Sequence, residues 1–373
     1  LMPAVEWLGP GPYRDRMEGL VRDIWAEAGG VPTGNVEVHG ELLQTCARLY
    51  WQTGDAAFRD WTFALAERYL VEDDMTQWEE IRLRDHGCEI IGGLSEAYYL
   101  AAQEAPERQD AWRAPLHALL DLILAKGVYD DGMMPSAFRP ATGQQHPRLN
   151  DNWGYVYNAF LTVALVDGVP RYREAVRHAL ENVGDYVPAD WEGRGGADGY
   201  ADSIEGGLNL LNRLPVDAGF AWVDASMEIL FGLQRDDGII EGWYGDGNSA
   251  RTALMYALWK TQGVRAAPWR KDVRLGAVRD ANGTLHLTLG TDFYWDGTLH
   301  FDRPRHRVDS NLPEDYPRIN QFPEWFTVEA DAEYTLTIDG ETETVAGTEL
   351  LAWPLTLEPG QTVRLSVATA GPS

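Results

Sequence analysis

Five times along this chain a cluster of polar and aromatic residues runs straight into an apolar stretch with helical spacing. The openings read Glu37-Val38-His39-Gly40-Glu41, Arg84-Asp85-His86-Gly87-Cys88, Asn150-Asp151-Asn152-Trp153-Gly154-Tyr155, Tyr200-Ala201-Asp202-Ser203-Ile204-Glu205 and Gly245-Asp246-Gly247-Asn248-Ser249-Ala250-Arg251. They lie roughly 47, 66, 52 and 45 residues apart, which fits a two-helix repeat with loops of uneven length. A ring of helix pairs puts every second helix on the inside. The starts of the inner helices then converge at one mouth, so the five openings are expected to line one pocket.

The intervening segments support that reading. Periodicity predicts helices at about 12–28, 37–53, 56–71, 85–103, 108–126, 152–167, 171–186, 202–213, 218–233 and 249–262, with Gly29-Gly30, Gly54, Gly127, Gly168, Pro170, Pro215 and Gly263 at the joints. The helices at 56–71, 108–126, 171–186 and 218–233 open on plain surface residues. Charged stripes such as Arg171-Tyr172-Arg173-Glu174-Ala175-Val176-Arg177 mark them as the outer ring. The helices behind the polar openings are apolar nearly all round, as in Ile90-Ile91-Gly92-Gly93-Leu94, and a helix of that kind is buried.

Near residue 265 the period changes from helical to two. Segments 273–278, 285–289, 298–301, 334–338 and 362–367 alternate, and Asn282-Gly283, Asp339-Gly340 and Pro359-Gly360 supply turns. The expected architecture is an α/α barrel, a toroid of five or six helix pairs, over 1–264. A C-terminal antiparallel β-sandwich follows over 265–373. Segment 302–326, rich in Pro and Arg, is expected to be a long loop packing back on the helical domain.

Composition removes several classes of function. The 373 residues carry a formal net charge of −27, and nucleic acid or an anionic membrane needs a basic face. No apolar run approaches the ~18 residues of a membrane span. Only Lys126, Lys260 and Lys271 are lysines; the other basic residues are arginines, suited to gripping a carboxylate by two parallel hydrogen bonds. Cys46 and Cys88 read as buried free thiols. No signal peptide is visible before the first helix, which leaves room for a leader or further helices ahead of Leu1.

The openings hold the chemistry. Asp151, Asp202, Glu205 and Asp246 lie at or just inside three inner-helix starts, where each alone would serve as a cap or answer the helix dipole. Several together facing one pocket are what glycoside hydrolysis requires: one carboxyl group kept protonated to donate to the leaving oxygen, one ionised to activate water or attack the sugar. Trp153, Tyr155, Tyr157, Tyr200, Trp243 and Tyr244 lie beside them. Aromatic rings bury the apolar faces of sugars while polar neighbours bind the hydroxyls. His39 and His86 open two inner helices, but no His-x-x-x-His or Cys-x-x-Cys spacing points to a metal. Neither metal nor cofactor is expected. Segment 236–251 is the densest polar-aromatic run, and its Arg251 is placed to meet a substrate carboxylate.

The helix pairs, the acidic and aromatic openings and the trailing β region resemble the α/α-barrel carbohydrate-active enzymes. Within them, Asp151-Asn152-Trp153-Gly154-Tyr155 and Trp243-Tyr244-Gly245-Asp246-Gly247-Asn248 look most like bacterial members near the glucuronidase and unsaturated glucuronyl hydrolase groups. The resemblance implies a glycoside hydrolase acting on a uronic-acid-containing glycan, with a carbohydrate as its partner. Glu205 or Asp151 would be the general acid and Asp246 or Asp202 the base or nucleophile. His39, His86, Asn152, Trp153, Tyr155, Tyr200, Trp243, Tyr244, Asn248 and Arg251 would bind substrate. The same architecture hosts polysaccharide lyases and sugar epimerases. In a lyase, Tyr155, Tyr157, Tyr244 or His39 would remove a proton, and Asn152 and Arg251 would stabilise the developing charge. A glycan-binding protein without catalysis is the third alternative.

Overall fold

The computed structural model describes residues 2–32, 34–189, 191, 196–240 and 247–370. It divides into two compact units, Leu1–Ala253 with Asp309–Gln321, and Leu254–Val308 with Phe322–Ser373.

Eleven helices are described along the first part of the chain: α1 (Met2–Leu8), α2 (Pro12–Ala28), α3 (Val36–Thr53), α4 (Ala56–Glu67), α5 (Cys88–Glu104), α6 (Pro106–Lys126), α7 (Trp153–Asp167), α8 (Pro170–Asn182), α9 (Ala197–Arg213), α10 (Asp217–Gly232) and α11 (Asn248–Lys260). Their ends follow local chemistry. The Asn35 side chain accepts from the Val38 amide and Asp55 from the Ala57 amide, capping α3 and α4. Gly54 and Gly168 take left-handed conformations after α3 and α7. Proline opens α2, α6 and α8, where its missing N–H costs nothing.

The alternation read from the sequence is an α/α barrel. Helices α3, α5, α7 and α9 pack each on the next, and the Thr252 hydroxyl of α11 donates to the Ala201 carbonyl of α9 at 3.0 Å. Helices α4, α6, α8 and α10 lie outside them. Burial separates the two sets. In α5 every residue from Cys88 to Ala101 is buried, and in α7 every residue from Trp153 to Val163. In α8 only Tyr172, Val176, Ala179 and Leu180 are buried, the single stripe of an outer helix.

Glycine lets the inner helices close up. A Cβ built on Gly154 would stand 2.4 Å from the carbonyl carbon of Gly206, and one on Gly40 would stand 2.3 Å from that of Glu89. These contacts bring the start of α7 against α9 and the start of α3 against α5. The mouth residues therefore meet because backbone touches backbone behind them. A short ribbon, β1 (Ile81–Arg82) with β2 (Ala137–Phe138), carries the chain toward α5.

Segment 309–321 belongs to this helical unit. Its Tyr316 stacks on Tyr99 with centroids 4.2 Å apart and donates its hydroxyl proton to Glu96 at 2.7 Å. Arg48 grips Glu96 in a two-pronged bond at 2.6 and 2.9 Å and donates to the Ile319 carbonyl at 2.7 Å. Arg318 faces Glu6 of α1 and Asp315. Arg48, Glu96, Glu6 and Arg318 are all buried, so each charge depends on its partner.

The second unit is all antiparallel: β3 (Arg265–Ala267), β4 (Arg274–Arg279), β5 (Leu285–Gly290), β6 (Trp295–His300), β7 (Glu333–Ile338), β8 (Glu341–Ala346), β9 (Ala352–Leu357) and β10 (Thr362–Thr369). One sheet has the order β4-β5-β10-β7-β8 and the other β3-β6-β9. Leu285, Leu287, Leu289, Leu336, Val363, Leu365 and Val367 share one core with Trp295, Leu299 and Leu357, as in a sandwich. Sequence periodicity finds five of these strands. It misses β3, which is short, β9, and the edge strand β8, whose Glu341-Thr342-Glu343-Thr344 is exposed on both faces.

Gly154→Ala and Gly206→Ala are expected to destabilise the protein by at least about 2 kcal/mol each, because the neighbouring backbone cannot give way. Gly19→Ala, mid-helix with nothing near its added methyl, is expected to stabilise by roughly 0.5–1 kcal/mol. Urea unfolding of the three variants checks the contrast.

Candidate active site

The structure brings residues of all five inner openings into one polar chain. Arg251, one turn into α11, forms an ion pair with Glu205 of α9. It also donates to the Tyr155 hydroxyl at 3.3 Å and to Asn320 Oδ1 at 3.1 Å, and lies 3.7 Å from an Asp202 oxygen. Tyr155 donates to Asp202 Oδ1 at 3.3 Å, Asn248 Nδ2 to the same oxygen at 3.1 Å, and Asn152 Nδ2 to Asp202 Oδ2 at 3.1 Å. Asn152 Oδ1 accepts the Asp85 amide at 2.6 Å. Asp85 then faces His86 Nε2 at 3.2 Å, and Glu37 faces His86 Nδ1 at 2.8 Å. The chain runs from α11 through α9 and α7 to the starts of α5 and α3.

Burial sets the protonation of this group. Glu205 has no exposed surface. Desolvation raises its pKa, and Arg251, the Tyr155 hydroxyl and the Asn320 backbone N–H oppose the rise. Asp202 is held well above the usual carboxylate range, first by burial, then by the negative charges of Asp198, Glu205 and Asp151, against the pull of Arg251. The two carboxyl groups share one guanidinium and titrate as a unit. On the other side of the mouth, burial likewise raises Glu89 and Glu41, each pushed further by neighbouring acids. Burial and the carboxylates Asp202 and Glu205 push the Tyr155 hydroxyl far up.

Three of the expected site residues sit elsewhere. Trp153 is fully buried, its indole N–H donating to Ser203 Oγ at 2.8 Å and its ring edge-on to Trp222. It fills the space between inner and outer helices, one position round the helix from Asn152. Tyr200 is buried and donates to the Ala189 carbonyl at 3.0 Å. His39 is fully buried, with one ring nitrogen on the Tyr69 hydroxyl and the other on the Pro32 carbonyl, so it has no nitrogen left for a substrate. Asp151 is buried at the α7 start and acts on Asp202 and Arg84 electrostatically. Trp243, Tyr244 and Asp246 lie outside the described residues.

Asp202 and Glu205 are interior residues of α9, which starts at Ala197; the glycine-rich stretch before Tyr200 hides that first turn. Sequence reading also passed over Glu41, Glu89, Asp198 and Asn320. Helical spacing from Glu37 and Asp85 could have found Glu41 and Glu89. Nothing in the sequence marks Asn320. Among the described residues, Glu37, Asp85 and His86 come close enough together to hold an ion. However, each nitrogen of His86 already faces a carboxylate, a pairing that is complete without one.

No protein-family model matches the chain, and no curated protein sequence matches it. Several solved structures are similar in fold. D-mannose isomerase is 13% identical, with a TM-score of 0.42, covering 54% of this chain and 60% of that one. Unsaturated glucuronyl hydrolase from Bacillus sp. GL1 is 17% identical, with a TM-score of 0.46, covering 65% and 74%. Cellobiose 2-epimerase from Spirochaeta thermophila DSM 6192 is 15% identical, with a TM-score of 0.38, covering 61% and 76%. The chain thus spans less than two thirds of the isomerase. At these identities the likeness concerns architecture.

The raised carboxyl groups have a thermodynamic consequence. The folded state keeps protons on them that the unfolded chain releases in the ordinary carboxylate range near pH 4. Stability from this source is present below that range and is lost as pH rises through the raised folded values. Asp202→Asn removes one such group. Unfolding free energies measured by urea at several pH values above 4 should fall less steeply for the variant than for the unsubstituted protein; parallel curves would refute the assignment.

Proposed function

We propose that the mouth of the helical unit is the active site of a glycoside hydrolase and that its substrate is a uronic-acid-containing glycan. A common architecture does not select a reaction, as the isomerase, hydrolase and epimerase named above illustrate, so the side chains have to carry the argument. The observation that carries it is the gathering of Asp151, Asp202 and Glu205 within electrostatic reach of one another, with Asp202 biased toward its protonated form.

Asp202 is the general acid in this reading. Its side chain keeps 14% of its surface open, and a carboxyl group whose proton is favoured by burial and neighbouring acids can donate to the glycosidic oxygen as the bond breaks. Glu205 is committed to its ion pair with Arg251 and serves to hold the arginine. Asp151, in the same electrostatic group, is the second carboxylate. Asp246 keeps its expected role as base or nucleophile, and Trp243 and Tyr244 theirs as ring-stacking partners.

Proton abstraction by a lyase base finds less support. A general base needs a pKa near the working pH. The Tyr155 hydroxyl is held far above its ordinary value, Tyr157 donates into the core to the Gly132 carbonyl, and both His39 nitrogens are engaged.

For the uronate, Arg84 is a better partner than Arg251, whose charge Glu205 already answers. Arg84 is half-buried, and its charged form is disfavoured first by desolvation and then by Arg82 and Arg148. An anionic ligand relieves all three effects, and a guanidinium receives a carboxylate by two parallel bonds.

The test is a panel of uronate-containing and neutral oligosaccharides assayed for new reducing ends and for near-ultraviolet absorbance. Reducing ends without absorbance are expected; absorbance would indicate a lyase. Asp202→Asn and Asp151→Asn should each lower kcat by at least about 100-fold, and near-wild-type turnover in both would end the proposal. Arg84→Gln should raise KM for the uronate substrate by roughly 10–100-fold, with the neutral analogue little affected.

A further inference from the structure

Segment 309–321 brings to the mouth a residue 69 positions beyond Arg251 in the sequence. Asn320 Oδ1 accepts from Arg251 Nη1 at 3.1 Å. Its backbone N–H acts on the Glu205 carboxylate. The same residue thus meets the cation of the Arg251–Glu205 pair with an oxygen and the anion with a proton. It can do so because its φ is +56°, in the left-handed region where asparagine is among the favoured residues after glycine. The turn is anchored from behind: Arg48 donates to the carbonyls of Ile319 and Asn320 at 2.7 and 3.4 Å while bound to buried Glu96.

We propose that Asn320 is the positioning residue of this site: by bonding Arg251 at Nη1, it fixes the guanidinium against Glu205, Tyr155 and Asp202. The proposal rests on the glycosidase reading only for its kinetic consequence. Arg251 presents Nη2 to three groups at once: Glu205, the Tyr155 oxygen at 3.3 Å and Asp202 at 3.7 Å. A guanidinium is planar, so a bond that fixes the Nη1 side fixes the direction of Nη2 as well. Without it, Arg251 is free to swing toward Glu205 alone and leave Asp202 with less positive charge nearby. The groups that face this carboxyl pair are Arg251 on α11, Asp198 on α9 itself, Tyr155 on α7, Asp151 just before α7, and Cys88 on α5. Only Arg251 among these carries positive charge, so its placement is what opposes burial and favours their ionised forms.

The test uses the full chain with Asn320→Gly and Asn320→Asp. Glycine removes the side-chain oxygen without backbone strain, so its thermal midpoint should stay close to that of the unsubstituted protein. Aspartate keeps the shape and adds a carboxylate that competes for Arg251. Infrared difference spectra taken across a pH titration report the buried protonated carboxyl band directly, and Asp202→Asn identifies its share. The Asp202 titration is expected to move up by about one pH unit in Asn320→Gly, the loss of a charge-assisted bond's worth of support, and further in Asn320→Asp. In turnover, kcat should fall by about 10-fold or more with KM changed little, and the alkaline limb of the pH–rate profile, which a general acid sets, should shift in the same direction. A folded Asn320→Gly whose carboxyl band titrates like that of the unsubstituted protein overturns the proposal. A shifted band in a protein that hydrolyses no glycan upholds the role of Asn320 and overturns the glycosidase reading instead.

Discussion

Glu205 has no exposed surface and Arg251 keeps 22% of its side-chain surface open, so the buried carboxylate depends on the arginine beside it. The pair sits where α9 and α11 meet, and Asp202 stands beside it with three neutral donors on its oxygens. Those donors favour the ionised form, while burial and the nearby acids favour the neutral one. A single guanidinium stands between two carboxyl groups and leaves one of them short of charge. That imbalance is what gives the site a group able to hold and release a proton.

The imbalance depends on backbone geometry further down the helices. Gly154 against Gly206, and Gly40 against the backbone at Glu89, remove the side chains that would hold neighbouring helices apart. The residues ahead of them then lie within bonding distance across three helix boundaries. Tyr316, Arg318 and Asn320 enter between the inner helices and meet Glu96, Glu6 and Arg251. Buried charge in the helical unit is therefore neutralised partly by a segment remote in sequence. A change in that segment acts on the site through Arg48 and Arg251.

Charge is also unevenly distributed around the mouth. The chain as a whole is strongly acidic, and Glu37, Glu41, Asp85 and Glu89 crowd the starts of α3 and α5. Arg82, Arg84 and Arg148 form the opposing element, close to Asp85 and Asp151.

The sequence by itself determined the architecture. A period of 3.6 with alternating rich and plain openings is a property of neighbouring residues, as is a period of two with Asn-Gly and Asp-Gly turns, and both survive without knowledge of contacts. It also named Asp151, Asn152, Asp202, Glu205, Asn248 and Arg251 in openings that the structure brings together, since consecutive residues at a helix start cannot lie far apart. It did not decide which residues of an opening look inward. Successive residues on a helix are turned by about 100°, so Asn152 faces the mouth and Trp153 the outer helices, and composition alone gives no preference between them. Nor could it place Asn320, whose partner Arg251 lies 69 positions away. That contact exists only because the ring, once packed, leaves buried charges that a returning segment must satisfy, and the need appears only when the tertiary structure has excluded water.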